Sequence, residues 1–114
     1  MMDPIFSTKV VEADGETVIY VRGEIDIATA GRLRDVIEPH LGPKQSIVLD
    51  LSGVDFMDSQ CLTVLVQARG RLTADGGSLV LRNPSKAARR LLTVAQARGF
   101  LDVDEADHPD EHDG

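Results

Sequence analysis

Residues 46–51, Ser-Ile-Val-Leu-Asp-Leu, are a short, nearly unbroken apolar run of strand length. That is the signature of a strand buried on both faces. The pattern is helical on either side of it. Upstream, Ala30, Leu33, Ile37 and Leu41 fall on one face, with Asp26 or Thr29 placed to cap the start. Pro39 should end the regular helix near Glu38 or kink it. Downstream, Leu62, Leu65, Val66, Arg69 and Leu72 share a stripe of a helix from about Ser59 to Asp75, which Gly76-Gly77 stops.

Residues 78–82 predict another strand, and Asn83-Pro84 the opening of a last helix, with Asn as cap and Pro at the first position. Ala88, Leu91, Leu92 and Ala95 form its apolar face; Gly99 ends it, with Phe100 placed to pack back on the last turn. At the other end, residues 5–12 and 17–22 predict strands joined by an Asp14-Gly15 hairpin, hence antiparallel. The whole is an α/β fold: one mixed β-sheet, its first two strands antiparallel and the rest parallel, packed with about three to four helices. Val18, Ile19, Val21, Ile47, Leu49, Leu51, Leu79 and Leu81 are expected to be buried in the sheet. Leu33, Ile37, Leu62, Leu65, Leu91 and Leu92 should pack on them from the helices.

With 114 residues there is room for one domain. A single Cys excludes an internal disulfide framework and a thiolate zinc cluster. Four aromatics and a net charge of −7 disfavour single-strand stacking and phosphate-backbone binding. There is no apolar run of the roughly 18–20 residues a membrane span needs, and no basic-then-apolar leader, so a soluble cytoplasmic protein is expected. The charge is uneven. Residues 1–58 carry 11 acids and 5 bases, residues 59–101 carry 1 acid and 7 bases, and residues 102–114 carry 7 acids and no base. A domain over 1–101 followed by a mostly disordered acidic tail over 102–114 is expected. The tail is either a solubilising appendage or a segment that folds back on the basic region containing Arg89, Arg90 and Arg98.

Candidate chemistry gathers in Val48–Leu62, where a strand hands over to a helix beginning at Asp58-Ser59. Unpaired N–H groups at a helix start favour an anion, although Asp58 or Ser59 can simply cap the helix. No Ser-His-Asp or Cys-His grouping is suggested, and no glycine-rich phosphate cradle, so neither an enzyme nor a cofactor is expected. His40, near a helix C-terminus, suits a structural role; His108 and His112 in the tail read as coincidence rather than a metal site. Arg82, Lys86, Arg89, Arg90 and Arg98 read as a solvated face.

Three stretches, in order and spacing, resemble the STAS family, and more narrowly the bacterial anti-sigma factor antagonists. They are Gly23-Glu24-Ile25-Asp26 before a helix, Val48-Leu49-Asp50-Leu51-Ser52-Gly53-Val54 on the next strand, and Phe56-Met57-Asp58-Ser59 opening a helix. The likeness covers about residues 5–101. It implies a protein that binds an anti-sigma factor with serine kinase activity and so releases a sigma factor. The kinase phosphorylates a Ser in the family stretch Asp-Ser-Ser-Gly-Leu, and about −2 of added charge breaks the complex until a phosphatase resets it.

The resemblance carries over to Asp26, Asp58 and Ser59, but the acceptor position falls on Gln60 and the following Gly on Cys61. Three readings stay open: an antagonist that phosphorylation cannot turn off, a shift of the acceptor to Ser59, or control elsewhere. Cys61, in a first helical turn, is either a redox switch with a dipole-favoured thiolate or a space-filling residue. Two alternatives remain beside the antagonist. One is a STAS subunit of a lipid-transport complex. The other is a receiver-like phospho-accepting domain using Asp50, for which Asp14 and Glu16 are poorly placed and no Lys is suitable. The expected partner is the anti-sigma factor, with no direct nucleic acid and no membrane span, and the chain a monomer or weak homodimer.

Overall fold

The computed structural model describes residues 6–104. The chain runs β1 (Phe6–Ala13), β2 (Glu16–Ile25), α1 (Ile27–Ile37), a 3-10 turn (Glu38–His40), β3 (Ser46–Met57), α2 (Gln60–Ala74), β4 (Ser78–Arg82), α3 (Lys86–Ala97) and β5 (Asp102–Asp104). The sheet order is β1-β2-β3-β4-β5, with β1 and β2 antiparallel and the other pairs parallel. This is the mixed sheet expected, with one strand more. Pro39 ends α1 as its missing N–H requires, converting the last residues to the 3-10 turn.

One face of the sheet forms the core. Ile19, Leu49, Leu51 and Leu81 are fully enclosed, and Leu33, Ile37, Leu65, Leu72 and Leu92 reach them from the three helices. The opposite face is more open: Val18 is only half-buried and Tyr20 is exposed, so Val18 does not join the core as expected. Leu62 and Leu91 pack at the core's rim rather than within it. On α2 the buried stripe is Cys61, Leu65, Ala68 and Leu72. Arg69, expected on that stripe, instead reaches sideways to Asp102 at 2.9 Å.

That contact helps to explain the fifth strand. Leu101 is buried, and the first three residues of the acidic segment pair with β4. An Arg–carboxylate pair this exposed is worth at most about 1 kcal/mol, so Leu101 is the stronger anchor. The last helix also starts later than expected. Its cap is Ser85, whose hydroxyl accepts from Ala88 N at 3.1 Å. Asn83 takes a left-handed conformation (φ 53) in the turn before it, a region Asn tolerates better than most residues. After α3, Gly99 (φ 79) closes the helix, with Phe100 N donating to Ala95 O at 2.9 Å, but the Phe100 ring stays half exposed. Gly77 is required by close approach: a Cβ there would stand 2.1 Å from Gln45 O.

The largest difference lies in β3. The strand expected over residues 46–51 does not end there but continues to Met57 beside an equally extended β2. Core-facing positions of β3 are 47, 49, 51, 54 and 57, so the alternation steps by two and then by three. Each longer step is a bulge, opposite Tyr20/Arg22 and Gly23/Glu24, where β3 uses one residue more than β2. Gly23 supplies the positive φ (97) at the second.

Because Leu49 is wholly enclosed in the central strand, Leu49→Ala should destabilise the protein by about 2–5 kcal/mol in urea unfolding. A loss below about 1 kcal/mol would contradict the packing described.

Candidate functional site

Two loops meet where β2 and β3 end. In the first, Asp26 is extended between β2 and α1. Its carboxylate accepts from Thr29 N at 3.0 Å, and Thr29 Oγ1 accepts from Asp26 N at 2.8 Å. Both residues that the sequence offered as caps therefore act together in a capping box. The hydrogen bond from the Thr29 backbone, then that from its hydroxyl, holds the Asp26 carboxyl below the ordinary carboxylate range.

In the second loop Asp58 is the capping residue. Its carboxylate accepts from Gln60 N at 2.8 Å and its carbonyl from Cys61 N at 2.9 Å. Ser59 already has helical angles and makes no side-chain cap. Asp58 N donates to Ile25 O at 2.8 Å, which ties the two loops into one edge.

The side chains at that edge divide cleanly. Ser59 and Gln60 are exposed, while Cys61 turns inward and is fully buried. Burial, with a contribution from the Asp58 charge, pushes the Cys61 thiol up to about 12. Desolvation thus opposes the helix-start effect that would favour a thiolate, and the buried position suits the space-filling role of Cys61. Cys61 fills space under the loop and lies beneath the contactable surface.

Two apolar side chains were not singled out from the sequence. Ile27 is 70% exposed and Phe56 48%. Ile27 is the first residue of α1, ahead of the buried stripe. Phe56 is turned outward by the second bulge; in an unbulged strand it would share the buried face of Val54. An apolar residue directly after a cap was the available signal for Ile27, and none existed for Phe56. Beside Phe56 lies a hollow of about 290 Å³ bounded by Met57, Ala87, Arg90 and Leu91.

Other candidates are placed elsewhere. Asp50 is buried, and its oxygens accept from Ser52 N (3.0 Å) and Oγ (2.7 Å), Arg82 Nε (3.4 Å) and Asn83 Nδ2 (3.3 Å). Asp14 and Glu16 sit at the far hairpin; Glu16 pairs with Ser46 while Asp50 pairs with Tyr20, about 13 Å further along the sheet. The receiver-like arrangement is therefore not assembled. His40 lies at that far end too, 3.5 Å from Glu12 and away from the Asp58 loop. His108 and His112 lie outside the described residues. Among the described residues no three His, Cys, Asp or Glu side chains group as metal ligands, and no helix is long and apolar enough to cross a membrane.

The family model described as "Mlab, STAS domain" matches residues 8–102. The chain belongs to the STAS family. This STAS domain is similar to the anti-sigma-B factor antagonist of Bacillus subtilis (strain 168), 29% identical over 94 residues that make up 82% of this chain and 86% of that protein. It is also similar to the anti-sigma-B factor antagonist of Listeria monocytogenes, 33% identical over 100 residues, 85% and 87% of the two chains. Among solved structures, an anti-sigma factor antagonist from Mycobacterium paratuberculosis superposes with a TM-score of 0.73 at 29% identity, covering 92% of this chain and 89% of that one.

Two measurements check the site's electrostatics. Cys61 in the native STAS domain should resist alkylation at pH 8 and react at the free-thiol rate once unfolded in urea; fast native labelling would contradict its burial. The folded Asp26 carboxyl titrates below its unfolded value, so its stabilisation is fully present above the unfolded value and lost as pH falls through the folded one. Acid unfolding of Asp26→Asn should accordingly lack this component: the wild type should lose stability relative to the variant as the pH falls below the ordinary Asp range. Parallel curves would show that the capping box is not charge-assisted.

Proposed function

We propose that this STAS domain is a cytoplasmic anti-sigma factor antagonist that acts by binding rather than by turnover. The anti-sigma factor is its partner, and Asp26, Asp58, Ser59 and Gln60 mark the docking edge. Cys61 supports that edge from below. The observation that carries the reading is the exposure of Gln60 at the start of α2, on an edge fixed by the Asp58–Ile25 hydrogen bond and flanked by Ile27 and Phe56. Half-exposed aromatic and aliphatic groups beside polar ones are what a protein interface uses as anchors. The resemblance to proteins named anti-sigma-B factor antagonists supplies the class of partner.

Gln60 then acts as a permanent neutral group where the family pattern has a phosphorylatable Ser. An amide cannot accept a phosphoryl group, so the charge that would disrupt the interface never arrives. Binding is switched off by other means, and the domain stays competent whatever the kinase activity of its partner.

The partner is identified by capture from the native cell with mass spectrometry; recovery of a transporter ATPase in place of a kinase-like anti-sigma factor would favour the lipid-transport reading. With the partner in hand, Gln60→Glu should weaken binding about 10-fold, equivalent to about 1.4 kcal/mol, and Phe56→Ala by at least as much, with little change in unfolding midpoint. After incubation with the partner and ATP, mass spectrometry should find no phosphate on the domain. A phosphate on Ser59 would overturn the permanent-antagonist reading.

A further inference from the structure

We propose that the open face of the sheet joins two copies of this chain, about a two-fold axis that crosses the strands at the row Val11, Val18, Val48 and Val80. Gln60 lies beyond the end of β3, off this face, so the inference does not rest on the function proposed above.

An apolar row outside the core is the first support. The pairings Val11–Val18, Val18–Val48 and Val48–Val80 set four valines side by side across four strands. Side chains alternate along a strand, so this row points away from the face that holds Ile19, Leu49 and Leu81. Val48 is buried, yet it and the other three valines stand outside the core cluster to which all three helices contribute. Tyr20, one step along the same face, is exposed.

Charge is the second support. On the same face Lys9 lies one step beyond the valine row, beside Tyr20, and Arg22 lies two steps beyond it. In the other direction Glu16 lies one step away, and Asp14 follows in the hairpin turn. All four are exposed, and among the described residues none of them makes an ion pair. The rows of Lys9 and Glu16 are four residues apart, about 13 Å, too far for a pair within one chain. The row of Val18 is midway between the rows of Tyr20 and Glu16, and midway in sequence between Arg22 and Asp14. A two-fold axis there sets Lys9 over Glu16 of the second copy and Arg22 over its Asp14, twice each. Such self-complementarity is what an isologous contact requires.

Shape agrees with charge. A hollow of about 410 Å³ lies at the basic end of the face, bounded by Lys9, Tyr20, Arg22, Ser52 and Gly53. The same axis brings the Asp14-Gly15 turn of the second copy over it. The face spans about 20 Å along β2 and about 14 Å from β1 to β4, a projected area of about 300 Å² per copy. A standard interface takes about 800 Å² from each partner, so this dimer is weak and reversible, with its register set by the charges. Because the axis crosses the strands, the strand ends that carry Asp26 and Asp58 point to opposite ends of the pair. One dimer therefore leaves both edges free.

The test follows the association state of the full chain by sedimentation equilibrium over about a 100-fold range of concentration. The wild type should pass from monomer to dimer, and Val18→Asn should move that transition to about 10-fold higher concentration. Lys9→Glu and Glu16→Lys should each do the same, by setting like charges against each other. Both substitutions in one chain should restore the dimer. Mixing the two single variants should give a heterodimer, because unlike charges then oppose each other at both contacts. Unfolding midpoints of the variants should stay near that of the wild type, which separates loss of the interface from loss of the fold. A chain that is monomeric at every concentration overturns the inference, including the case in which another segment of the same chain covers the valine row. A dimer indifferent to the charge exchanges overturns this face and its axis.

Discussion

The parallel pairing of β2 with β3 begins at Glu16–Ser46 and does not stop where the apolar run stops. It continues to Ile25–Met57. Everything at the site depends on where this pairing ends. Without the two extra residues of β3, Asp58 N would not stand 2.8 Å from Ile25 O, and the loops opening α1 and α2 would not form one edge. The bulges also turn Phe56 out of the core and let Met57 take its place inside. A bulge costs ladder hydrogen bonds, so strands commonly carry one where a side chain must be re-aimed. Here that side chain is the aromatic group at the edge.

Structural and surface roles are separated residue by residue along the second loop. Asp58 caps, Cys61 packs, and only Ser59 and Gln60 between them are left to face outward. A substitution at Asp58 therefore disturbs the start of α2 before it says anything about a partner, and the same holds for Asp26 and its capping box. Changes at Gln60 or Phe56 report on the surface with less structural noise. Residue 60 has its backbone N–H held by Asp58, so its side chain is free to vary without loss of the cap.

Much of this was legible in the sequence, and the failures share a cause. Alternation at Ile47, Leu49, Leu79 and Leu81 and the stripes of α1 and α3 follow local periods, and local periods give element type. What they cannot register is one residue inserted without a partner across the sheet. The strand reading stops at residue 51, where the apolar run gives way to Ser52 and Gly53, residues that favour turns. The neighbouring strand overrides that preference by extending alongside. β5 was hidden for the opposite reason: three residues of an acidic segment have no strand pattern of their own, and pair because Leu101 is buried and Arg69 meets Asp102. Cys61 shows the same limit in electrostatics. Its place in the first turn could be counted from the sequence, whereas its burial depends on the fold and opposes the dipole.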